Sequence, residues 1–181
     1  MSMRHLPADY QLCGAAQEEI PDLVRIDLAA GQLFAGTGLI PEAELGDHVP
    51  EDILAAAIPA GHLHTVRDYK GRLAGFALTS LRRNTLYLDQ ISVHPDHGRK
   101  GLGAALLARV IAEAKERGLK TVLLSTFRDL PWNAPFYRLH GFRILPKRRY
   151  ETWMLQIEEA QAERGLDVSK RCFMARRTSL F

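Results

Sequence analysis

The chain has 181 residues, the size of one domain, and we expect residues 1–181 to form a single domain. Its 24 Lys and Arg residues and 21 Asp and Glu residues give a formal charge of +3, which is too small for a nucleic-acid arm although it suits an anionic small ligand. Two cysteines, Cys13 and Cys172, are too few and too far apart for a disulfide scaffold or a zinc finger.

Hydrophobic residues make up 46% of the chain and charged residues 25%, an ordinary balance for a folded protein. The first nine residues contain no apolar run, so we expect no signal peptide. The most apolar stretch, residues 103–112, is interrupted by Arg109 and is too short to span a bilayer. These features predict a cytoplasmic α/β domain that contacts neither membrane nor nucleic acid.

The first sixty residues predict one strand and then helices. Tyr10–Ala15 is interpreted as a short first strand, and Gln17–Ala29 carries apolar residues at helical spacing. Two early acids, Glu18 and Glu19, lie where the helix dipole favours negative charge. Residues 31–60 predict helical pieces broken at Gly36, Gly38, Pro41 and Pro50.

The middle of the chain predicts a hairpin followed by a βαβ unit. His62–Asp68 and Leu73–Ser80 flank a glycine-containing turn and therefore form the hairpin. Leu86–Val93 is predicted as a strand, Leu102–Arg117 as an amphipathic helix that stops at a glycine, and Thr121–Thr126 as a buried strand. The two strands of this unit should be parallel neighbours with a right-handed crossover.

The last third predicts two helices and two strands. Ala134–His140 is a short helix with Asn133 as its N-cap and a proline in its first turn. Phe142–Leu145 is a strand, Glu151–Glu163 an acidic helix that could line an acceptor site or a dimer interface, and Arg171–Arg177 a final strand. We expect a homodimer as one option for the oligomeric state.

A glycine-rich basic turn joins the strand Leu86–Val93 to the long helix and reads Val93-His94-Pro95-Asp96-His97-Gly98-Arg99-Lys100-Gly101-Leu102-Gly103. Backbone N–H groups at a helix N-terminus lack internal partners and bind phosphate. The spacing Gly-x-x-Gly-x-Gly is the reverse of the dinucleotide fingerprint, and no Gly-Lys-Ser/Thr follows. From these residues alone, a tight connection that merely needs small residues remains an alternative.

This turn resembles the acyl-CoA loop of the GNAT superfamily of N-acetyltransferases, which usually reads Val-x-Pro-x-x-Gln/Arg-x-x-Gly-x-Gly/Ala. The resemblance implies that loop amides hold the CoA pyrophosphate and that the preceding strand holds the pantetheine arm. Gly98 stands where the family has Gln or Arg, but we expect binding to survive because main-chain donors dominate. The implied contacts are Ile91, Ser92, Val93, Gly98, Arg99, Lys100, Gly101, Leu102, Gly103 and Ala104.

A second segment, Trp132–Phe142, resembles the family's Ala-x-x-Phe-Tyr-x-x-x-Gly-Phe motif. The resemblance implies that Tyr137 protonates the leaving thiolate and that Phe136 contacts CoA, with simple packing of the aromatic pair as the alternative. The family's usual asparagine is Leu130 here, so Asn133 either contacts CoA or caps the helix. The two motifs and the order of the elements together cover about residues 60–145. The resemblance implies an α/β (α+β) fold: a mixed, mostly antiparallel sheet with one splayed parallel strand pair flanked by helices.

The general base is open between Asp89, on the strand implied to hold pantetheine, Asp27, which we expect to face the acceptor groove, and ordered water. His94 and His97 are interpreted as loop residues. His62 and His64 alternate along a strand, so both rings should point to one face, and we predict no metal site there.

The resemblance implies direct transfer of acetyl from acetyl-CoA to a primary amine of an unidentified acceptor. Neither cysteine has a motif that would make it a nucleophile. The alternative is a non-catalytic acyl-CoA-binding or regulatory domain. Residues 147–149, all basic, form either a solvated turn or a contact for the adenosine phosphate of CoA.

Overall fold

A seven-stranded sheet forms the centre of the structure, a computed structural model that describes residues 6–178. The strand order is β1-β2-β3-β4-β5-β7-β6, and within the described residues only β4 and β5 are parallel neighbours. This confirms the predicted mixed sheet with its single parallel pair. The strands are β1 Tyr10–Cys13, β2 Leu63–Asp68, β3 Leu73–Arg82, β4 Thr85–Val93, β5 Thr121–Phe127, β6 Arg143–Ile144 and β7 Arg171–Arg177.

Helices cover both faces of the sheet. They are α1 Ile20–Gly31, α2 Glu51–Ala60, α3 Leu102–Glu116, α4 Ala134–Leu139 and α5 Thr152–Glu163. The apolar stripe of α3 packs with α4 on one face, while α1 and α2 bury their apolar residues against β2 and β3 on the other. On that second face α5 covers β4, β5 and β7. None of the helices within residues 6–178 has the length and apolarity to cross a bilayer.

The predicted elements differ from the structure mainly at their ends. Between α1 and α2, residues 32–34 and 42–44 form short 3₁₀ turns, and α2 is the one α-helix that residues 32–60 contain. Gly118 ends the long helix with φ of +68°, the left-handed conformation that a glycine adopts without strain.

A β-bulge in β4 bends the strand away from β5. Leu78 of β3 pairs with Gln90 while the next residue, Thr79, pairs with Leu88, so Asp89 is the extra residue. An extra residue bends a strand locally and interrupts its ladder. The parallel pairing with β5 ends at Leu88, and the last residues of both strands then diverge. The predicted splay of the parallel pair is confirmed.

A buried carboxylate joins α3 to the edge of the sheet. Glu113, 2% exposed, lies 3.0 Å from His62 Nδ1 and 2.8 Å from His64 Nε2. Both rings therefore point to one face, as predicted, and Arg117 and the Thr79 hydroxyl complete the cluster. These hydrogen bonds and charges outweigh burial and lower the pKa of Glu113. Within residues 6–178 no group of His, Cys, Asp and Glu is arranged to hold a metal.

Candidate functional site

A cleft of about 900 Å³ opens where β4 and β5 diverge. Its walls are the last residues of β4 (89–93) and of β5 (125–127), together with the start of α4. Strand pairing that ends early leaves main-chain groups of both strands without ladder partners. The cleft therefore offers polar backbone groups between apolar walls, as ligand sites usually do.

The cleft passes through the sheet, because its lining comes from both faces. At one end Gly103 of α3 faces α4, and a Cβ built on this glycine would lie 3.8 Å from Cζ of Phe136. At the other end the connection 32–50 meets residues 164–166, which follow α5. A ligand that enters from the α3 end and another that enters from the far end would meet between β4 and β5.

The loop before α3 has the backbone shape of an anion-binding nest. Arg99 has φ of +58° and Gly101 φ of +82°, with α3 beginning at the next residue. Alternation of right- and left-handed backbone turns successive N–H groups toward one point, and the helix dipole adds positive potential there. A left-handed arginine is unusual and marks a conformation that the surrounding fold enforces.

Side chains around this nest hold the loop in place. The Tyr10 hydroxyl lies 2.8 Å from His97 Nδ1 and accepts from Lys100 Nζ at 3.2 Å. His94 Nδ1 accepts from the Asp96 N–H at 3.2 Å. Burial and the Lys100 charge lower the pKa of His97, which keeps its ring neutral. Both histidines are loop residues, as interpreted from the sequence, and β1 supplies a contact to the loop that sequence reasoning missed.

Tyr137 is a core residue that also reaches the cleft. Its side chain is 6% exposed, and its ring packs against Phe136 and Phe142 at centroid distances of 5.2 and 5.8 Å. Its hydroxyl makes no hydrogen bond with residues 6–178, yet the residue lines the cleft. Burial raises the pKa of this phenol, so it stays protonated at neutral pH. Packing and proton donation are compatible roles here.

Asn133 does not cap α4 with its side chain. Asn133 occupies the N-cap position, as predicted, but its side chain makes no capping hydrogen bond. The main-chain oxygen of Asn133 accepts from the Tyr137 N–H at 3.0 Å, which is the first hydrogen bond of the helix. Its Oδ1 is buried without a partner beside the cleft. An unpaired buried amide oxygen is costly, and a ligand donor in the cleft would satisfy it.

The two candidate bases occupy different environments. Asp89, the bulged residue, is exposed toward the cleft. Desolvation by the surrounding protein raises the pKa of its carboxyl, while the charges of Arg82 and His62 act to lower that pKa. Asp27 also lines the cleft, but its side chain is only 4% exposed. It accepts three hydrogen bonds: from the Val49 N–H at 2.8 Å, from Gln90 Nε2 at 2.7 Å and from the Ser92 hydroxyl at 2.6 Å. Asp27 therefore ties α1 to β4, whereas Asp89 keeps accessible lone pairs.

The predicted contacts divide into two groups. Those that line the cleft are Asp89, Ile91, Ser92, Val93, Gly103, Asn133, Phe136 and Tyr137. Those of the loop just outside it are Gly98, Arg99, Lys100, Gly101, Leu102 and Ala104. The Leu102 side chain is buried in the core, so this residue offers a ligand its main chain alone. The Ser92 hydroxyl already donates to Asp27, which leaves its backbone for contacts.

Sequence reasoning missed Arg171, the first residue of β7. Its Nε donates to Gln161 Oε1 at 3.0 Å and its Nη2 to the Ser125 hydroxyl at 3.2 Å, while the guanidinium lies 4.4 Å from the Phe127 ring centroid. Burial lowers the pKa of this guanidinium. The one available signal was a charge directly before the apolar run of residues 172–175, and strand ends commonly carry charges.

A salt bridge closes the far end of the cleft. Arg164, after α5, bonds Glu44 at 2.8 Å and also pairs with Asp47, which joins the two connections that cover this end. Gly165 has φ of +81°, and a Cβ there would lie 3.2 Å from Pro41 Cγ. The acidic helix predicted to line either an acceptor site or a dimer interface has none of its own residues in the cleft, but it leads into residues 164–166 at this end.

Comparison with known proteins gives one family and several relatives. The model of the acetyltransferase (GNAT) family matches residues 34–142. The chain is 32% identical over 143 residues to mycothiol acetyltransferase of Clavibacter michiganensis subsp. michiganensis, covering 77% of this chain and 44% of that protein. It is 35% identical over 79 residues to the ribosomal protein bS18 alanine N-acetyltransferase of Escherichia coli K12, covering 44% and 53%. The chain thus spans about half the length of the curated relatives it matches.

Solved structures share the fold. The PaiA N-acetyltransferase of Thermoplasma acidophilum, solved with coenzyme A, superposes with a TM-score of 0.70 at 14% identity, over 93% of this chain and 98% of that one. The S18 alanine N-acetyltransferase of Escherichia coli gives a TM-score of 0.65 at 20% identity, over 95% and 96%. At these identities the likeness establishes the fold alone.

Proposed function

This chain belongs to the GNAT acetyltransferase family, and we propose that it transfers the acetyl group of acetyl-CoA to a primary amine. The observation that carries the proposal is the cleft through the sheet, with an amide nest at one end and the Tyr137 side chain in its wall. Donor and acceptor can enter such a cleft from opposite faces. Their reacting atoms would then meet without a covalent enzyme intermediate.

The residues around the α3 end fit a CoA donor. The amides of Arg99–Ala104 would hold the pyrophosphate, and the cation of Lys100 would add counter-charge. The backbone of Ile91–Val93, which β5 does not pair, would hold the pantetheine arm. Two features of this structure support the fit. The unpaired Asn133 Oδ1 can accept a hydrogen bond from a pantetheine amide. A Cβ at Gly98 would lie 3.0 Å from the Pro95 carbonyl oxygen, so this conformation of the loop favours glycine there.

The chemistry requires a neutral amine and a protonated leaving group. The amine nitrogen forms a bond to the thioester carbonyl carbon, the C–S bond breaks, and the thiolate takes a proton from the Tyr137 hydroxyl. Asp89, held accessible by the bulge, accepts the proton that the amine loses, directly or through water. Burial keeps the phenol protonated, as a proton donor must be, and desolvation raises the carboxyl pKa, which makes the carboxylate a stronger base.

The alternative is a domain that binds acyl-CoA without catalysis. Tyr137 and Asp89 both line the cleft, and neither a phenol nor a carboxylate has an evident use there in a protein that only binds. They favour catalysis. Our proposal also includes a cytoplasmic location and a reaction without a metal.

Release of CoA in the presence of amines tests this proposal. The purified protein with acetyl-CoA should release free thiol faster when a responsive amine is added than in an amine-free control. The panel should contain polyamines, amino acids, aminoglycosides and peptides with free N-termini. Tight binding of acetyl-CoA with no acceleration by any amine class or lysate fraction would favour the non-catalytic alternative.

A further inference from the structure

The far end of the cleft contains one cation whose charge the protein does not neutralise. Arg171 lines the cleft, and its hydrogen-bond partners within residues 6–178 are the neutral groups of Gln161 and Ser125. Its neighbour Arg164 differs, because Glu44 and Asp47 both pair with it. Burial of an unpaired charge is costly, so folds rarely retain one without a use.

The guanidinium of Arg171 is held in a single orientation. Nε and Nη2 each donate one hydrogen bond, the ring of Phe127 lies 4.4 Å from the guanidinium carbon, and Gln161 Nε2 in turn donates to the Ser125 hydroxyl at 3.3 Å. Nη1 makes no hydrogen bond in the described part of the chain. The edge formed by Nη1 and Nη2 is therefore oriented and available, which is the arrangement that binds a carboxylate with two parallel hydrogen bonds.

Arg171 lies on the same face of the sheet as Asp89. Arg171 pairs with Phe127 across β5 and β7, and Leu123 pairs with Tyr87 across β4 and β5, so side chains of these positions share one face. Leu88 packs on the other face with α3, and Asp89, the bulged residue that follows it, lies on the side of the sheet that Tyr87 occupies. Both charges act on the Tyr87 phenol, whose pKa is raised mainly by burial, then raised by Asp89 and lowered by Arg171.

We propose that the acceptor is a small amine that carries a carboxylate, and that Arg171 binds this carboxylate while the amine lies toward Asp89. The inference rests on the proposed acetyl transfer and names its substrate class. A phosphate dianion would need a second cation, and the nearest one, Arg164, is already neutralised by its two acids. A carboxylate matches the guanidinium of Arg171, which has no acidic partner within residues 6–178. Ser125 and Gln161 are positioning residues for the guanidinium.

Matched acceptor pairs test the proposal. L-Leucine and L-phenylalanine are compared with their carboxamides, and β-alanine and 4-aminobutyrate vary the spacing between amine and carboxylate. In the wild type, kcat/KM for the best carboxylate should exceed that for its amide by about tenfold or more, since the amide cannot form the charged pair. In Arg171→Gln the ratio should fall toward one. Arg177→Gln removes the same charge from an exposed position of the same strand and should leave the ratio unchanged.

A binding measurement separates this inference from the proposed function. N-Acetyl-L-leucine and its amide are titrated into CoA-saturated protein by calorimetry. The acid should bind more tightly than the amide to the wild type and should lose most of that advantage in Arg171→Gln. In Arg171→Lys it should keep part of the advantage, because lysine retains the charge but lacks the planar guanidinium that forms two parallel hydrogen bonds. The lysine variant also serves if the glutamine variant does not fold.

The outcomes divide as follows. If acids and amides react and bind alike, or if Arg171→Gln weakens both equally, the carboxylate proposal is wrong while acetyl transfer stands. If the acid binds through Arg171 but no amine accelerates CoA release, the proposed catalysis fails and the carboxylate site remains.

Discussion

Replacement of Tyr137 by phenylalanine isolates one hydroxyl group. The ring contacts with Phe136 and Phe142 and the core position of the side chain are retained in Tyr137→Phe. Since the hydroxyl has no hydrogen-bond partner among residues 6–178, its removal breaks no bond of the fold. We therefore expect the melting temperature to stay unchanged, because the ring keeps its packing contacts.

The effect on catalysis should be large. A positioned acid contributes about 10²- to 10⁴-fold to a rate, which corresponds to about 2.7 to 5.4 kcal/mol of barrier. We expect kcat for CoA release to fall within that range in Tyr137→Phe. The affinity for acetyl-CoA should change far less, because the nest at residues 99–104 and the backbone of β4 are untouched.

Steady-state kinetics with calorimetry and a melting curve distinguish the possible roles. A fall in kcat and kcat/KM together, with unchanged acetyl-CoA binding, is the signature of an interaction made in the transition state. Wild-type kcat in the variant would make Tyr137 a packing residue and leave water as the proton source. Loss of activity that accompanies a lower melting temperature would show that the hydroxyl is structural, against the reasoning above.

Two further predictions concern the donor site and the base. Gly103→Glu should nearly abolish acetyl-CoA binding, measured by calorimetry, because the side chain adds bulk and a negative charge beside the phosphates. The melting temperature should stay equal or rise, because the nearest atom to a new Cβ is 3.8 Å away and an acid in the first turn favours the helix. Gly103→Gln separates the effect of bulk from that of charge, and unchanged affinity in the folded Glu variant would refute the loop assignment. Asp89→Asn should lower kcat about 10²-fold and remove the rise of activity with pH that ionisation of this carboxyl produces. Desolvation raises the pKa of the Asp89 carboxyl above its ordinary value of 3.8, so the wild type loses stability as pH rises from about 4 through the raised pKa. The variant should therefore melt increasingly above the wild type as the pH rises until the carboxyl is ionised, and a constant difference would contradict the raised pKa.

Elements dictated by neighbouring residues were predicted well. The helix that became α3, its stop at Gly118, the hairpin of β2 and β3 and the parallel pairing of β4 with β5 all follow from spacing, turn residues and the connection rules of βαβ units. Asn133 was predicted correctly as the N-cap position, but its side chain makes no capping bond, because whether an amide meets a helix N–H depends on a backbone angle that the local sequence does not set.

The groups that decide reactivity come from residues far apart in the chain. Glu113 meets His62 and His64 across about fifty positions, and Arg171 meets Ser125 across 46. No local pattern indicates such pairs, since each residue alone resembles a solvated charge. The bulge at Asp89 likewise exists only through the register of β4 against β3.

The amino-acid sequence by itself therefore determined the order of elements and the glycine-rich start of α3, because periodicity and backbone freedom act over a few residues. The family was identified from the resemblance of two short motifs. Only the tertiary structure decided which carboxylate stays accessible, which is tied down, and which cation is left unpaired. Burial and hydrogen bonding set the charge and orientation of Asp89, Asp27 and Arg171, and these depend on strands and helices brought together from the whole chain.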